Sequence, residues 1–154
     1  MPLDNPKTHP GFVPAYQVSA IPYATSSAAA EVGKGPDDMV VVEFPYVTRF
    51  FTITNWGNQH LSVGFTQQGL LASGGYSSSF DGQIPANTET DGRKNYFTIL
   101  SGTTSPRLEL RVKKLFFEAH AGGKTAFSLV AGLTGIHPSQ FPVITGSDGF
   151  QGVG

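Results

Sequence analysis

Residues 39–66 read Met-Val-Val-Val-Glu-Phe-Pro-Tyr-Val-Thr-Arg-Phe-Phe-Thr-Ile-Thr-Asn-Trp-Gly-Asn-Gln-His-Leu-Ser-Val-Gly-Phe-Thr. β-Branched and aromatic side chains dominate this stretch, and such residues fit a pleated, half-buried surface. Leu61, Val63 and Phe65 alternate with Ser62, Gly64 and Thr66, the period-two signature of a strand with one face in a core. Upstream, Val47, Phe51 and Ile53 share one face, and Thr48, Phe50, Thr52 and Thr54 take the other. Asn55-Trp56-Gly57-Asn58 lies between the two runs and has turn composition, so a hairpin between them is expected. Pro45 cannot donate to a ladder and marks a bend or a strand start. These residues make the chain all-β.

The rest of the chain agrees. Strand patterns recur at residues 16–24, 76–80, 95–100, 107–117 and 126–133, separated by turn residues such as Asp81-Gly82 and Asp91-Gly92. In the run 107–117, Leu108, Leu110 and Val112 alternate with charged residues, and then Leu115 and Phe117 change parity. A bulge near Lys113 or Lys114 would account for the slip. No stretch is long enough for a dependable helix, and no fixed repeat is present. Many strands without crossover helices indicate an antiparallel sandwich, a jelly roll or a barrel.

Three segments divide the 154 residues. Residues 1–15 carry Pro2, Pro6, Pro10 and Pro14 and are expected to form an extended arm, with Phe12 and Val13 as anchors on a neighbouring subunit. Residues 16–134 hold the strands. Residues 135–154 should again be extended, placing Phe141 and Phe150 against the sheet or a partner. Net charge is −1 and only 14% of residues are charged, which disfavours nucleic acid as a partner and leaves self-association open. No apolar run approaches the ~18 residues of a membrane span, and no secretory leader is legible.

Searching for chemistry yields little. The chain has no cysteine, so disulfides and thiolate chemistry are excluded. His9, His60, His120 and His137 are scattered, without a metal-pair spacing. Gly122-Gly123-Lys124-Thr125 resembles the tail of a phosphate loop, but Glu118 stands where the first glycine is required; a hairpin turn is the better reading. Glu43 and Glu109 form no evident carboxylate pair, and Ser77 to Ser79 lack a nucleophile elbow. The cationic residues Arg107, Arg111 and Lys113 read as a solvated strand face. Trp56 at a turn is a candidate stacking residue for carbohydrate. Neither a metal nor a cofactor is called for.

Four phrases carry a family resemblance: Glu-Phe-Pro-Tyr-Val-Thr-Arg-Phe-Phe-Thr-Ile-Thr-Asn at 43–55, Asn-Tyr-Phe-Thr-Ile-Leu-Ser-Gly at 95–102, Leu-Glu-Leu-Arg-Val-Lys-Lys-Leu-Phe-Phe at 108–117 and Phe-Ser-Leu-Val-Ala-Gly-Leu-Thr at 127–134. Together they resemble the small single jelly-roll capsid proteins of nucleocytoplasmic large DNA viruses, and the penton proteins among them in length and layout. The resemblance implies a non-enzymatic virion subunit made in the host cytoplasm. It also implies a pentamer at a five-fold vertex, beside major and minor capsid proteins. It transfers no site residue. The alternative is a monomeric carbohydrate-binding sandwich using Trp56.

With eight strands at 16–24, 39–43, 46–54, 60–66, 76–80, 95–100, 107–117 and 126–133, alternate connections should emerge at opposite ends. The connections 25–38, 55–59, 81–91 and 118–125 then share one end, with Trp56 at an exposed tip for a spike or receptor. Those at 44–45, 67–75 and 101–106 share the other, and Trp56 should lie nearer Asp91 than Pro106.

Overall fold

The computed structural model describes residues 11, 20–27, 32–33, 37–67, 70, 96–120 and 123–141. Two antiparallel sheets form a sandwich. One contains β1 (Ile21–Ser26), β7 (Phe127–Leu133) and β3 (Thr48–Asn55), in the order β1-β7-β3. The other is ordered β2-β6-β4-β5, from β2 (Val40–Glu43), β4 (Leu61–Gly64), β5 (Tyr96–Ile99) and β6 (Lys114–Ala119). The expected strand at 76–80 and the loop at 81–91 lie outside the described residues, as do Asp91, Phe12, Val13 and Phe150.

Strand pairing is nested. The first described strand pairs with the last, β1 with β7, and the second with the second-last, β2 with β6. Inside them, β3 takes residues 103–112 along its free edge, and β4 pairs with β5. The edge segment is held by Asn55 N to Thr103 O (2.9 Å), Ser105 N to Ile53 O (2.8 Å), the reciprocal Phe51–Leu108 pair (2.9 Å each way) and Thr48 N to Val112 O (3.1 Å). Two steps along β3, from Ile53 to Phe51, face three along the segment, from Ser105 to Leu108. The extra residue falls at Pro106, which has no N–H to give. The Ser105 hydroxyl accepts from Ile53 N there (3.0 Å).

Three sequence expectations are corrected here. The run 107–117 is not one bulged strand. Val112 N donates to Thr48 Oγ1 (2.9 Å) on one sheet, and the next carbonyl, of Lys113, accepts from Phe44 N (2.9 Å), just past β2 on the other. The parity slip marks the chain leaving one layer for the opposite one. Leu110, placed on the inward face by alternation, is correspondingly exposed. Nor do residues 46–54 and 60–66 form a hairpin. β3 and β4 belong to different sheets, and Asn55 to His60 crosses between layers. The connection from β6 to β7 crosses likewise, so the segment around Lys124 is no hairpin turn.

The core lies where alternation placed it on the central strands. Phe51 and Ile53 of β3, Leu61 and Val63 of β4, Leu115 and Phe117 of β6, and Phe127, Leu129, Ala131 and Leu133 of β7 are buried in one cluster. Phe117 and Phe127 stack across the layers with ring centroids 4.0 Å apart and planes 16° from parallel. Tyr23 meets Phe44 edge-on at 5.2 Å, joining β1 to the residue that follows β2. Beyond β7 the chain is not simply extended. Gly135 turns at φ 80°, Pro138–Gln140 makes a 3-10 turn, and Ile136 and Phe141 bury with Val47 in a second cluster.

Candidate functional site

At one end of the sandwich several connections meet around Asn55. Phe51 and Ile53 point into the core, and Asn55 continues that parity as a fully buried polar residue. Its Nδ2 donates to Gln59 O (2.8 Å) and Ile99 O (3.1 Å). Its Oδ1 accepts from Gly57 N (3.1 Å) and from Thr125 Oγ1 (2.9 Å). One side chain thereby ties the β3–β4 connection to the end of β5 and to the β6–β7 connection. Val32 bridges Thr125 through paired 2.8 Å bonds, and Ala119 N donates to Gly33 O (2.9 Å), so the β1–β2 connection joins the same end.

The β3–β4, β6–β7 and β1–β2 connections therefore share one end, as the alternation of strands requires. Alternation over eight strands puts the turn at 101–106 at the opposite end, and the structure places it here. Ser101 Oγ donates to Gly57 O (2.7 Å), Ser101 N to His60 Nδ1 (3.1 Å), and Asn55 N to Thr103 O (2.9 Å). The difference arises earlier in the chain: a strand expected between 60–66 and 95–100 would make those two run parallel, whereas β4 and β5 pair directly as antiparallel neighbours, so the turn after β5 returns to the end where β4 begins.

Trp56 sits at this end and is 51% exposed. Its backbone is held: Trp56 N and Gly57 N both donate to Ala126 O at 3.1 Å. A side chain at Gly57 would lie on Thr125 Oγ1 and 2.5 Å from Ala126 N, so only glycine permits this approach. Across from Trp56, Gly102 turns with φ 69° and open space around the position a Cβ would take. Leu100 beside it is also exposed. Sequence reasoning singled out Trp56 but treated Asn55 as a turn former. The available signal was its parity, a polar residue in register with Phe51 and Ile53.

The two outer sheet faces differ. On the four-stranded sheet, Ser62 and Glu118 oppose each other across β4 and β6 and are fully buried, with Phe116 and Thr66 nearly so. No buried side-chain N or O among the described residues lacks a hydrogen-bond partner. On the three-stranded sheet the outward positions are Pro22, Ala24 and Ser26 of β1, Ser128, Val130 and Gly132 of β7, and Thr52 and Thr54 of β3. None is charged. Val130, in the middle strand, is 55% exposed. Phe50 closes one corner of this face, where its ring carries the Arg107 guanidinium at 3.9 Å; Arg107 in turn pairs with Glu109 at 3.3 Å.

Folding brings together two histidines the sequence left scattered. The rings of His60 and His120 lie 6.4 Å apart, and His120 Nδ1 meets Ser62 Oγ at 3.1 Å. A serine–histidine contact of that length is within reach of nucleophile activation, but Ser62 is fully buried and no substrate carbonyl can approach it. His60 Nδ1 accepts from the Ser101 N–H, so in the neutral ring the proton sits on Nε2 and that nitrogen has no lone pair for a metal. Among the described residues no three His, Cys, Asp or Glu side chains form a metal-binding group, and no helix is long and apolar enough to cross a membrane.

The remaining candidates are engaged within the chain. Glu43 pairs with Lys114 at 3.4 Å, and Glu109 with Arg107, so the two carboxylates serve separate cations. Arg111 lies over the Phe141 ring at 5.3 Å, and Lys113 Nζ reaches Phe141 O at 3.4 Å. The ring of Phe141, expected at the sheet or on a partner, is buried in its own subunit.

No family model matches the chain, and no curated protein matches it. A solved structure with some likeness is the rhamnosidase from Klebsiella oxytoca with rhamnose bound, at 15% identity and a TM-score of 0.35. The match covers 90% of this chain and 34% of that one, so this chain spans about a third of its length. At that score the likeness carries no argument about fold or function.

Proposed function

We propose that this protein is a structural subunit that works by association, a single jelly roll that packs side by side with copies of itself in a virion shell. A five-fold ring is the assembly that its resemblance to penton proteins implies. The observation that carries the reading is the outer face of the β1-β7-β3 sheet, where Pro22, Ala24, Ser26 and Val130 are exposed and uncharged and the Arg107–Glu109 pair is confined to the β3 edge, whereas on the other sheet Ser62, Phe116 and Glu118 are buried. With exposed Val130 at its centre and no charge among the outward residues of β1, β7 and β3, the middle of this face has little desolvation cost to oppose a neighbour's approach. The nested pairing, outermost strands together and innermost strands together, supports the jelly-roll assignment once residues 103–112 are counted as the eighth strand.

Three strands about 4.8 Å apart, each about seven residues at 3.4 Å, give a footprint of roughly 340 Å². A standard interface takes about 800 Å² per partner, so this face is the middle of a larger contact and adjoining edges contribute the rest. A charge at its centre should then be decisive. The test is light scattering after size exclusion on the intact chain and on Val130→Lys. The intact chain should elute as a multiple of 16.3 kDa, and the variant as the monomer with an unchanged circular dichroism spectrum. A monomeric intact chain at every concentration, or an assembly that tolerates Val130→Lys, would overturn the proposal.

A further inference from the structure

We propose that the loop end of the sandwich binds a neutral carbohydrate, with Trp56 as the stacking platform and the turn at 100–103 as its wall. The first observation is preorganisation. A Trp ring 51% exposed would ordinarily sit on a mobile loop, yet here both flanking backbone amides are bonded to Ala126 O, and Gly57 O is bonded to Ser101 Oγ. Fixing the loop in advance lowers the ordering cost of binding. The second is shape. Asn55 N to Thr103 O and Ser101 Oγ to Gly57 O flank Trp56 on one strand and Gly102 on the other, and no atom fills the space where a Gly102 side chain would stand. The turn beside Trp56 is therefore open over Gly102, with room for a ligand.

The third observation is the chemistry of the rim. Asn58, Ser101, Thr103 and Thr104 are exposed hydroxyl- or amide-bearing side chains, and neither the stretch Asn55–Gln59 nor the stretch Leu100–Ser105 contains an acid, a lysine or an arginine. Among the described residues, Asp37, Asp38 and Lys124 at this end are on other connections. An aromatic platform ringed by neutral hydrogen-bonding groups suits a sugar, which offers an apolar C–H face and hydroxyls at its edge. It does not suit a phosphate or an anionic headgroup, for which a cationic rim is needed. Leu100, exposed beside the same turn, adds apolar surface to this end.

Trp56 is the only Trp in the chain, so its emission reports on this site directly. The intact protein is titrated with neutral oligosaccharides of glucose, galactose, mannose and N-acetylglucosamine, and separately with phosphatidylcholine vesicles. The expected result is a saturable blue shift with at least one of the sugars, at an affinity of about millimolar. Gly102→Asn keeps a residue that tolerates positive φ but puts a side chain into that open space, and should weaken binding about tenfold, the scale of one lost stacking contact. Saturation-transfer NMR should show no sugar signal with Trp56→Ala, while Val130→Lys, on the sheet face, should bind as the intact chain does. A shift with vesicles alone would assign the tip to a lipid surface and overturn the proposal. So would no saturable response to any sugar, or sugar binding that survives Trp56→Ala.

Discussion

Asn55 makes four hydrogen bonds from one buried amide, and no other residue type can reproduce both its donors and its acceptor at that size. Asn55→Ala removes all four, but Gly57 N keeps Ala126 O (3.1 Å) and Thr125 Oγ1 keeps Gln59 O (3.0 Å), so the loss is one of shared bonds and of a filled buried position, not of four orphaned groups. A cost of about 1–3 kcal/mol in urea unfolding is expected; less than about 0.5 kcal/mol would mean the loops hold without it. Thr48 poses the same question in milder form. Its hydroxyl donates to Leu110 O (2.7 Å) and accepts from Val112 N (2.9 Å), so Thr48→Val keeps the shape and leaves one amide unsatisfied. The expected cost is about 1–3 kcal/mol. Part of this was legible beforehand. A polar residue at an inward parity is a visible anomaly, but which carbonyls surround it depends on strands 40 to 70 residues away.

Elements behave differently from residues, because period two states which side of a strand is buried without stating what it is buried against. Alternation located the inward faces of β3, β4 and β7 residue by residue. It could not say that β3 and β4 lie in opposite layers, since a loop of turn-forming residues serves a hairpin and an arch alike. The run 107–117 shows the same limit more sharply. Its change of parity is plain in the sequence, and a bulge and a change of sheet both produce one. The stacked pair Phe117 and Phe127 joins the two layers, so Phe117→Ala should cost about 3–5 kcal/mol. Val130→Ala, on the same central strand as Phe127 but facing out, should stay within about 0.5 kcal/mol. Equal losses from the two would contradict the assignment of faces.

At the scale of the molecule the sandwich is asymmetric: Ser62, Phe116 and Glu118 are buried at outward positions of one sheet, while Val130 at the centre of the other is exposed. Deleting residues 1–15 removes none of the described strands, since β1 begins at Ile21, so the melting temperature should hold. If the proline-spaced segment contributes to association, assembly measured by light scattering should weaken; undiminished assembly would count against an arm. Thermal unfolding should also be insensitive to EDTA, because the described residues bring no three metal-ligating side chains together and the core is large enough to carry stability. A melting temperature that falls with chelator would reveal a site formed elsewhere in the chain.

The amino-acid sequence by itself determined the all-β class, the inward face of the central strands and the exposed Trp at a connection. Each of these follows from local steric preference or from a two-residue period, and neither needs knowledge of distant partners. Only the tertiary structure decided which strands pair, that 103–112 and Lys114–Ala119 belong to different sheets, and that the turn at 101–106 shares an end with Trp56. It also decided that Ser62 and Glu118 are buried while Val130 is open, though all three occupy outward positions. The physical reason is that pairing in a nested sandwich joins residues about 100 apart, as Ser27 Oγ meets Phe127 N at 2.9 Å, and no local pattern encodes a partner at that range.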